Sequence, residues 1–259
     1  MTLEAGRMFA GVTLLICWLA VFFFIDRARK GDVPKLRRIA GLDALDEAIG
    51  RSTEMGKPVF YSPGRGNLTT SSAAATIAAL DILGHVAMST AKYKCDIIVG
   101  ISDPAVYPLA EEIVRTSYRT ANVGDMFKPE MVRFLSPDQF AFASSCLGIM
   151  SREKVGASVM MGFWQAESLL LAEGSAQVGA ISIAGCDRLF QIPFFVAACD
   201  YTLIGEELLA GGAYLSGDPI QSGSLAGQDL VKLLAVALLF VGVVARTAGN
   251  SYIFDLLAK

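Results

Sequence analysis

The chain has 259 residues, 53% of them hydrophobic and 18% charged, with 22 Lys and Arg against 25 Asp and Glu. That is more apolar than a solvated coil, so a disordered or low-complexity chain is excluded. The apolar excess sits at the two ends, which speaks against a polytopic transporter. Six basic residues (Arg27, Arg29, Lys30, Lys35, Arg37, Arg38) crowd into 26–38 against only Asp26 and Asp32, which leaves the rest acidic. An acidic body is no partner for nucleic acid, since phosphate neutralisation needs a cationic face.

Met8 to Ile25 is an uncharged run of 18 residues. As a helix it reaches roughly 27 Å, close to the thickness of bilayer hydrocarbon. Basic residues follow this run and no small-residue cleavage site closes it, so 1–25 is expected to be a retained transmembrane anchor. The collar 26–38 then lies in the cytosol by the positive-inside rule, with the N-terminus outside. Gly41-Leu42-Asp43 opens a lead-in helix over 39–57, with Leu42, Leu45 and Ile49 at helical spacing.

From there short apolar runs alternate with longer helical stretches. Strands are expected at 58–62, 95–101, 131–135, 157–162, 179–184 and 193–199. Helices are expected at 71–92, 104–120, 138–150, 167–176 and 206–215. Strand–helix alternation with short connections means βαβ units and a mostly parallel sheet. The expected fold is therefore an α/β, Rossmann-like or flavodoxin-like sandwich over 39–215, flanked by N- and C-terminal transmembrane helices. Residues 216–229 (SGDPIQSGSLAGQD) read as a Gly/Ser-rich linker. Leu230 to Ala245 holds 16 residues with one charge, Lys232, whose stem can snorkel. The stretch 230–246 is expected to be a second transmembrane helix, leaving 247–259 as a short outside tail with Tyr252 and Phe254 at the interface.

The best candidate for chemistry is the loop after the first strand, Ser62 to Ser72 (SPGRGNLTTSS). Gly64 and Gly66 permit a tight backbone. Thr69, Thr70 and Ser71 stand at a helix start, where free N–H groups favour an anion, and Arg65 adds a charge. The loop matches neither G-x-G-x-x-G nor the P-loop pattern, and an ordinary turn with a hydroxyl cap explains it equally. In an open parallel sheet ligands bind beyond the carboxyl ends of the strands. There the sequence places Ser102-Asp103, Trp164-Gln165, Cys186-Asp187 and Cys199-Asp200-Tyr201, so Asp103, Asp187 and Asp200 could share a crevice. Capping of the next helix is the plainer role for such aspartates. Glu167, Glu173, Glu206 and Glu207 suit helix ends in the same way.

His85 is the only histidine, which removes a His-rich metal site and leaves a catalytic triad without support. Ser144-Ser145-Cys146 has no nucleophile-elbow glycines. The five cysteines (Cys17, Cys95, Cys146, Cys186, Cys199) include no C-x-x-C pair and read as small buried hydrophobes in a reducing compartment. No catalytic residue, metal or cofactor is assigned on this basis.

Two segments carry a resemblance. Leu36 to Ser62 (LRRIAGLDALDEAIGRSTEMGKPVFYS) is one. Pro193 to Pro219 (PFFVAACDYTLIGEELLAGGAYLSGDP), followed by Gly227-Gln228-Asp229, is the other. Together they resemble an uncharacterised family of prokaryotic membrane proteins, known as a domain of unknown function. The resemblance implies one body between terminal anchors and no particular activity. Gly211-Gly212 stand where bulkier residues are expected. Two function classes follow. One is a structural or assembly protein of the inner (plasma) membrane, whose cytoplasmic α/β body self-associates or docks partner subunits, with the lipid bilayer and a homo-oligomer as partners. The other is a membrane-tethered anion- or nucleotide-binding, conceivably enzymatic, α/β domain using the loop 62–72.

Overall fold

The computed structural model describes residues 8–34 and 36–247. The expected outside tail falls mostly beyond them. The chain divides into two compact units, Arg37–Ser216 and the segments flanking it.

The central unit is built on six strands: β1 (Val59–Gly64), β2 (Ile97–Ile101), β3 (Val132–Phe134), β4 (Ala157–Phe163), β5 (Ile181–Cys186) and β6 (Tyr201–Ile204). All neighbours are parallel, in the order β3-β2-β1-β4-β5-β6. This is the Rossmann order, and it decides against the flavodoxin-like alternative. The apolar runs become central strands because both faces of a parallel sheet are covered. Every residue of β1 and β2 is buried. Alternation along β1 sends Val59 and Tyr61 into one layer and Phe60 into the other.

The first layer holds α2 (Ala40–Glu54), α3 (Ala73–Tyr93), α4 (Tyr107–Thr120), α8 (Glu206–Leu209) and α9 (Gly211–Ser216). Leu45, Ile49, Ile82, Leu83, Val114 and Leu208 pack there against the sheet. The second holds α5 (Gln139–Glu153), α6 (Glu167–Gln177) and α7 (Ile192–Ala198), around Phe142, Trp164 and Phe195. Residues 206–215, expected as one helix, form the two short helices α8 and α9. Gly211 and Gly212 let α9 settle on α3. A Cβ at Gly211 would stand 2.7 Å from Ile82 Cδ1, and one at Gly212 2.8 Å from Asp81 Oδ2.

Residues 193–198 of the expected strand are helical, and Cys199 is the extended residue that ends the helix. Pro193 sits in the first turn of α7, where its missing N–H costs nothing. Ile192 and Phe195 turn inward while Phe194 and Val196 are exposed, a helical spacing. The sixth strand follows, at 201–204.

Outside this unit stand α1 (Met8–Arg29) and α10 (Pro219–Thr247). The expected linker 216–229 is thus mostly helix. Gly223 and Gly227, four residues apart, lie on one face of α10. A Cβ at Gly227 would stand 2.6 Å from Val21 Cα, and one at Gly223 2.8 Å from the Phe24 carbonyl oxygen and 2.9 Å from Ala28 Cβ. Advancing along α10 means retreating along α1, so the two helices form an antiparallel hairpin joined by small residues. That kind of close approach drives helix association in lipid.

Among the described residues three helices are long and apolar enough to cross a membrane: Gly11–Arg29, Ala73–Tyr93 and Pro219–Thr247. In Ala73–Tyr93, 61% of the apolar window is buried in the α/β unit, so α3 uses its apolar character for the core. The other two expose theirs, as a membrane-associated chain does.

Candidate functional site

In the order β3-β2-β1-β4-β5-β6 the direction of winding reverses between β1 and β4, and the carboxyl ends of these strands border the place where open α/β sheets take ligands. Here the two ends press together. Gly64 has φ +77° and Gly162 φ +118°, both in the region that favours glycine. A Cβ at Gly64 would stand 2.4 Å from Phe163 O, and one at Gly162 2.2 Å from Pro63 O. The Arg65 N–H donates to Phe163 O at 2.9 Å. Gly66 is buried, and a Cβ there would meet Thr76 Oγ1 at 2.1 Å and Phe163 Cβ at 3.1 Å. The glycines therefore serve close packing of protein against protein.

The loop consumes its own polar groups. Asn67 Oδ1 accepts from the N–H groups of Thr69 (3.1 Å) and Thr70 (2.9 Å) and from Thr70 Oγ1 (2.8 Å). Ser72 Oγ accepts from Asn67 N–H at 3.0 Å, and Thr70 O from Ala73 N–H at 3.0 Å. Ser62 Oγ donates to Gly100 O at 2.9 Å and accepts from Gly64 N–H at 3.2 Å. Ser102 Oγ donates to Gly64 O at 3.1 Å.

Two arginines lie over the crevice. Arg65 donates from Nη1 to Gln165 Oε1 (2.9 Å) and from Nη2 to Pro137 O (3.1 Å), linking the loops after β1, β4 and β3. The Arg188 guanidinium stacks 4.8 Å above the Phe163 ring and donates to Ser71 Oγ at 3.2 Å. Beneath them the buried Glu167 carboxylate accepts from Gln165 N–H (3.1 Å) and Gln139 Nε2 (2.5 Å). Phe163, Arg188 and Gln139 were missed by sequence reasoning. Their positions after a strand or at a helix start were the available signal.

The three strand-end aspartates do not share a crevice. Asp103 Oδ1 accepts from Ala105 N–H (2.8 Å) and Val106 N–H (3.3 Å), leading into α4. Asp187 lies 3.9 Å from Arg188 Nε. Asp200 is at the opposite, amino end of the sheet, where its carboxylate accepts from Ser182 N–H (2.7 Å) and Oγ (2.9 Å). That misplacement follows directly from 193–198 being a helix: Asp200 precedes the sixth strand instead of following it. Cys199 and Tyr201 move with it.

The thiols of the unit are not poised as nucleophiles. Burial raises those of Cys95, Cys146 and Cys186, and pushes Cys199 up to about 12. His85 Nε2 lies 3.3 Å from Asp46 Oδ1, which also accepts from Ser89 Oγ at 2.7 Å, a tie between α2 and α3. Among the described residues no three His, Cys, Asp or Glu side chains converge.

The β6–α7 border has a different character. From Leu189 to Ile204 the only charged residue is Asp200, engaged by Ser182. Leu189 (77% exposed), Phe190, Phe194, Val196, Tyr201 and Ile204 all reach the surface. β6 ends the sheet, so its outer backbone edge has no neighbouring strand among the described residues.

No curated protein and no solved structure matches the chain. One family model, described as Domain of unknown function (DUF6754), matches residues 2–257.

Proposed function

The chain belongs to the DUF6754 family, and from that premise we propose that it is a membrane-anchored assembly protein whose α/β unit self-associates through the β6–α7 border. The observation that supports this is the apolar surface of Leu189, Phe190, Phe194, Val196 and Ile204 beside a sheet edge that no further strand pairs with among the described residues, where Glu207 takes up the Ile204 N–H. Monomeric proteins commonly guard an edge strand with charge, proline or a covering loop. A two-fold contact sets identical patches against each other, which like charges would oppose and a neutral patch permits. In the same reading α1 and α10 cross the plasma membrane of a prokaryotic cell, and the collar 26–38 holds the α/β unit on the cytoplasmic side. Against the alternative, an anion or nucleotide at 62–72, stand the Asn67 side chain on the Thr69 and Thr70 amides and the contacts that Arg65 and Arg188 already make.

The test uses the full chain in lipid nanodiscs, with mass read by native mass spectrometry. The expected result is a multiple of the chain mass. Leu189→Asp together with Ile204→Asp should reduce it. A wild-type preparation containing single chains alone would refute self-association.

A further inference from the structure

We propose that the free edge of β3 is a docking strand for an extended acidic segment of a partner protein, held by Arg133 and Arg152. The proposal is independent of self-association at the β6–α7 border, because it concerns the opposite edge of the sheet.

The backbone supplies half of the site. β3 ends the sheet on the side away from β6, and among the described residues no strand follows it. Arg133 pairs with Gly100 of β2, and the Leu135 N–H donates to Ile101 O at 2.9 Å. Along a strand these groups alternate in direction, so the N–H and C=O of Phe134, between the two, turn outward. They offer one donor and one acceptor to an added strand.

Side chains supply the other half. Arg133 and Leu135 are two residues apart and share one face of the sheet. Between them and α5 runs an open groove of about 410 Å³. Leu135 and Ile149 give it an apolar lining, and the small residues Ser144 and Gly148 keep the α5 side low. The side-chain atoms nearest a Cβ at Gly148 would be those of the Arg152 guanidinium, at 3.7–3.9 Å, so this cation lies along the groove. Arg133 is fixed from outside the groove: its Nε donates to Glu130 O at 3.1 Å, and Nη1 lies 3.5 Å from Glu153 Oε1. Both arginines line the groove, and no Asp or Glu among the described residues does.

Charge identifies the occupant. Two cations without a carboxylate between them call for a negative partner. A second copy placed on this edge by a two-fold axis would bring the same two arginines up to themselves, which like charge opposes. A strand added beside β3 projects alternate side chains over the α5 face, and hence into the groove. Carboxylates at alternate positions then reach Arg133 and Arg152 while the backbone pairs with Phe134. Charge on a short edge strand keeps unsuitable strands away. Here the same charge selects an acidic one.

The experiment uses the full chain in nanodiscs of uncharged lipid and a fluorescent decapeptide of alternating Glu and Val, read by anisotropy. Wild type should bind it at up to millimolar peptide. Replacing every Glu of the peptide with Gln should weaken binding at least tenfold. Arg152→Gln and Arg133→Gln should each do the same to the Glu peptide, with the melting temperature of the protein unchanged. Methylating the backbone nitrogens of the Glu peptide keeps every charge and removes the edge that pairs with Phe134, and binding should again fall at least tenfold. That comparison needs no variant, so it decides the matter even where a substitution unfolds the chain.

Equal binding of the Glu and Gln peptides would overturn the proposal. So would undiminished binding of the methylated peptide, or a wild-type protein that binds none of them. A native mass that falls on Arg152→Glu would assign this edge to a second copy, and would overturn it too. Self-association at the β6–α7 border is read from the mass of wild type alone, so either idea can fail without the other.

Discussion

Gly66 shows how far a single residue's meaning depends on its neighbours. In sequence it is a loop glycine free to approach an anion. In the structure the space beside its Cα is taken by Thr76 Oγ1 and Phe163. Gly66→Val should therefore destabilise the protein by about 1–3 kcal/mol, as overpacking of a closed site does. Phosphate or nucleotide at millimolar concentration should leave the melting temperature of wild type unchanged. Denaturant unfolding and thermal shift read the two effects separately. A ligand that raises the wild-type melting temperature, and loses its effect in the Gly66→Val protein, would restore the anion reading. Asn67 accounts for the difference, since its side chain already occupies the amides that an anion would use.

Two contacts between elements give testable consequences. On α3, Asp81 lies against Gly212 of α9, and burial raises its carboxyl above the ordinary value. The sign follows from linkage. A raised folded-state value means that the native protein holds this proton more tightly than the unfolded chain does. Stability is thus lost as pH rises through the unfolded value near 4 and up to the raised native one. Asp81→Asn should stabilise the protein at neutral pH, with the gain fading below about pH 4, where both states carry the proton. Urea midpoints at pH 7 and pH 3.5 check this. Asp43 behaves in the opposite way: Arg38 and Tyr214 hold its carboxyl below the usual value, and its contribution disappears as pH falls. In the hairpin, Gly227→Val places side-chain atoms where Val21 Cα already stands. It should separate α1 from α10. A disulfide engineered across the pair, formed readily in the parent protein, should then form at least tenfold more slowly.

At the scale of the whole molecule the prediction concerns sidedness. If the basic collar is cytoplasmic, a cysteine introduced by Lys35→Cys reacts with an impermeant maleimide only after the cells are permeabilised. Labelling in intact cells would place the collar, and with it the α/β unit, on the other side. A Cys17→Ser background removes the membrane-helix thiol from the readout. Burial should keep Cys95, Cys146 and Cys186 unreactive until the protein unfolds.

What the amino-acid sequence determined by itself was whatever depends on local periodicity and bulk hydropathy. The two terminal apolar segments, five of the six strands, the parallel α/β class and the aspartate turn before α4 all follow from short-range pattern. Membership of the domain family was legible too, in 36–62 and 193–219. The tertiary structure decided what depends on partners distant in sequence. Periodicity does not separate a short buried strand from a short half-buried helix, so PFFVAA became α7 only once Ile192 and Phe195 had a core to enter, and Asp200 moved to the other end of the sheet as a result. Composition reads glycine and serine as linker, but Gly223 and Gly227 are helical because α1 is there to pack against them. The crevice was placed by topology and closed by contacts such as Arg65 with Gln165 and Arg188 with Ser71, which join residues 100 and 117 positions apart along the chain. Local sequence carries propensity. Which surfaces remain open is settled only when every segment has found the one it covers.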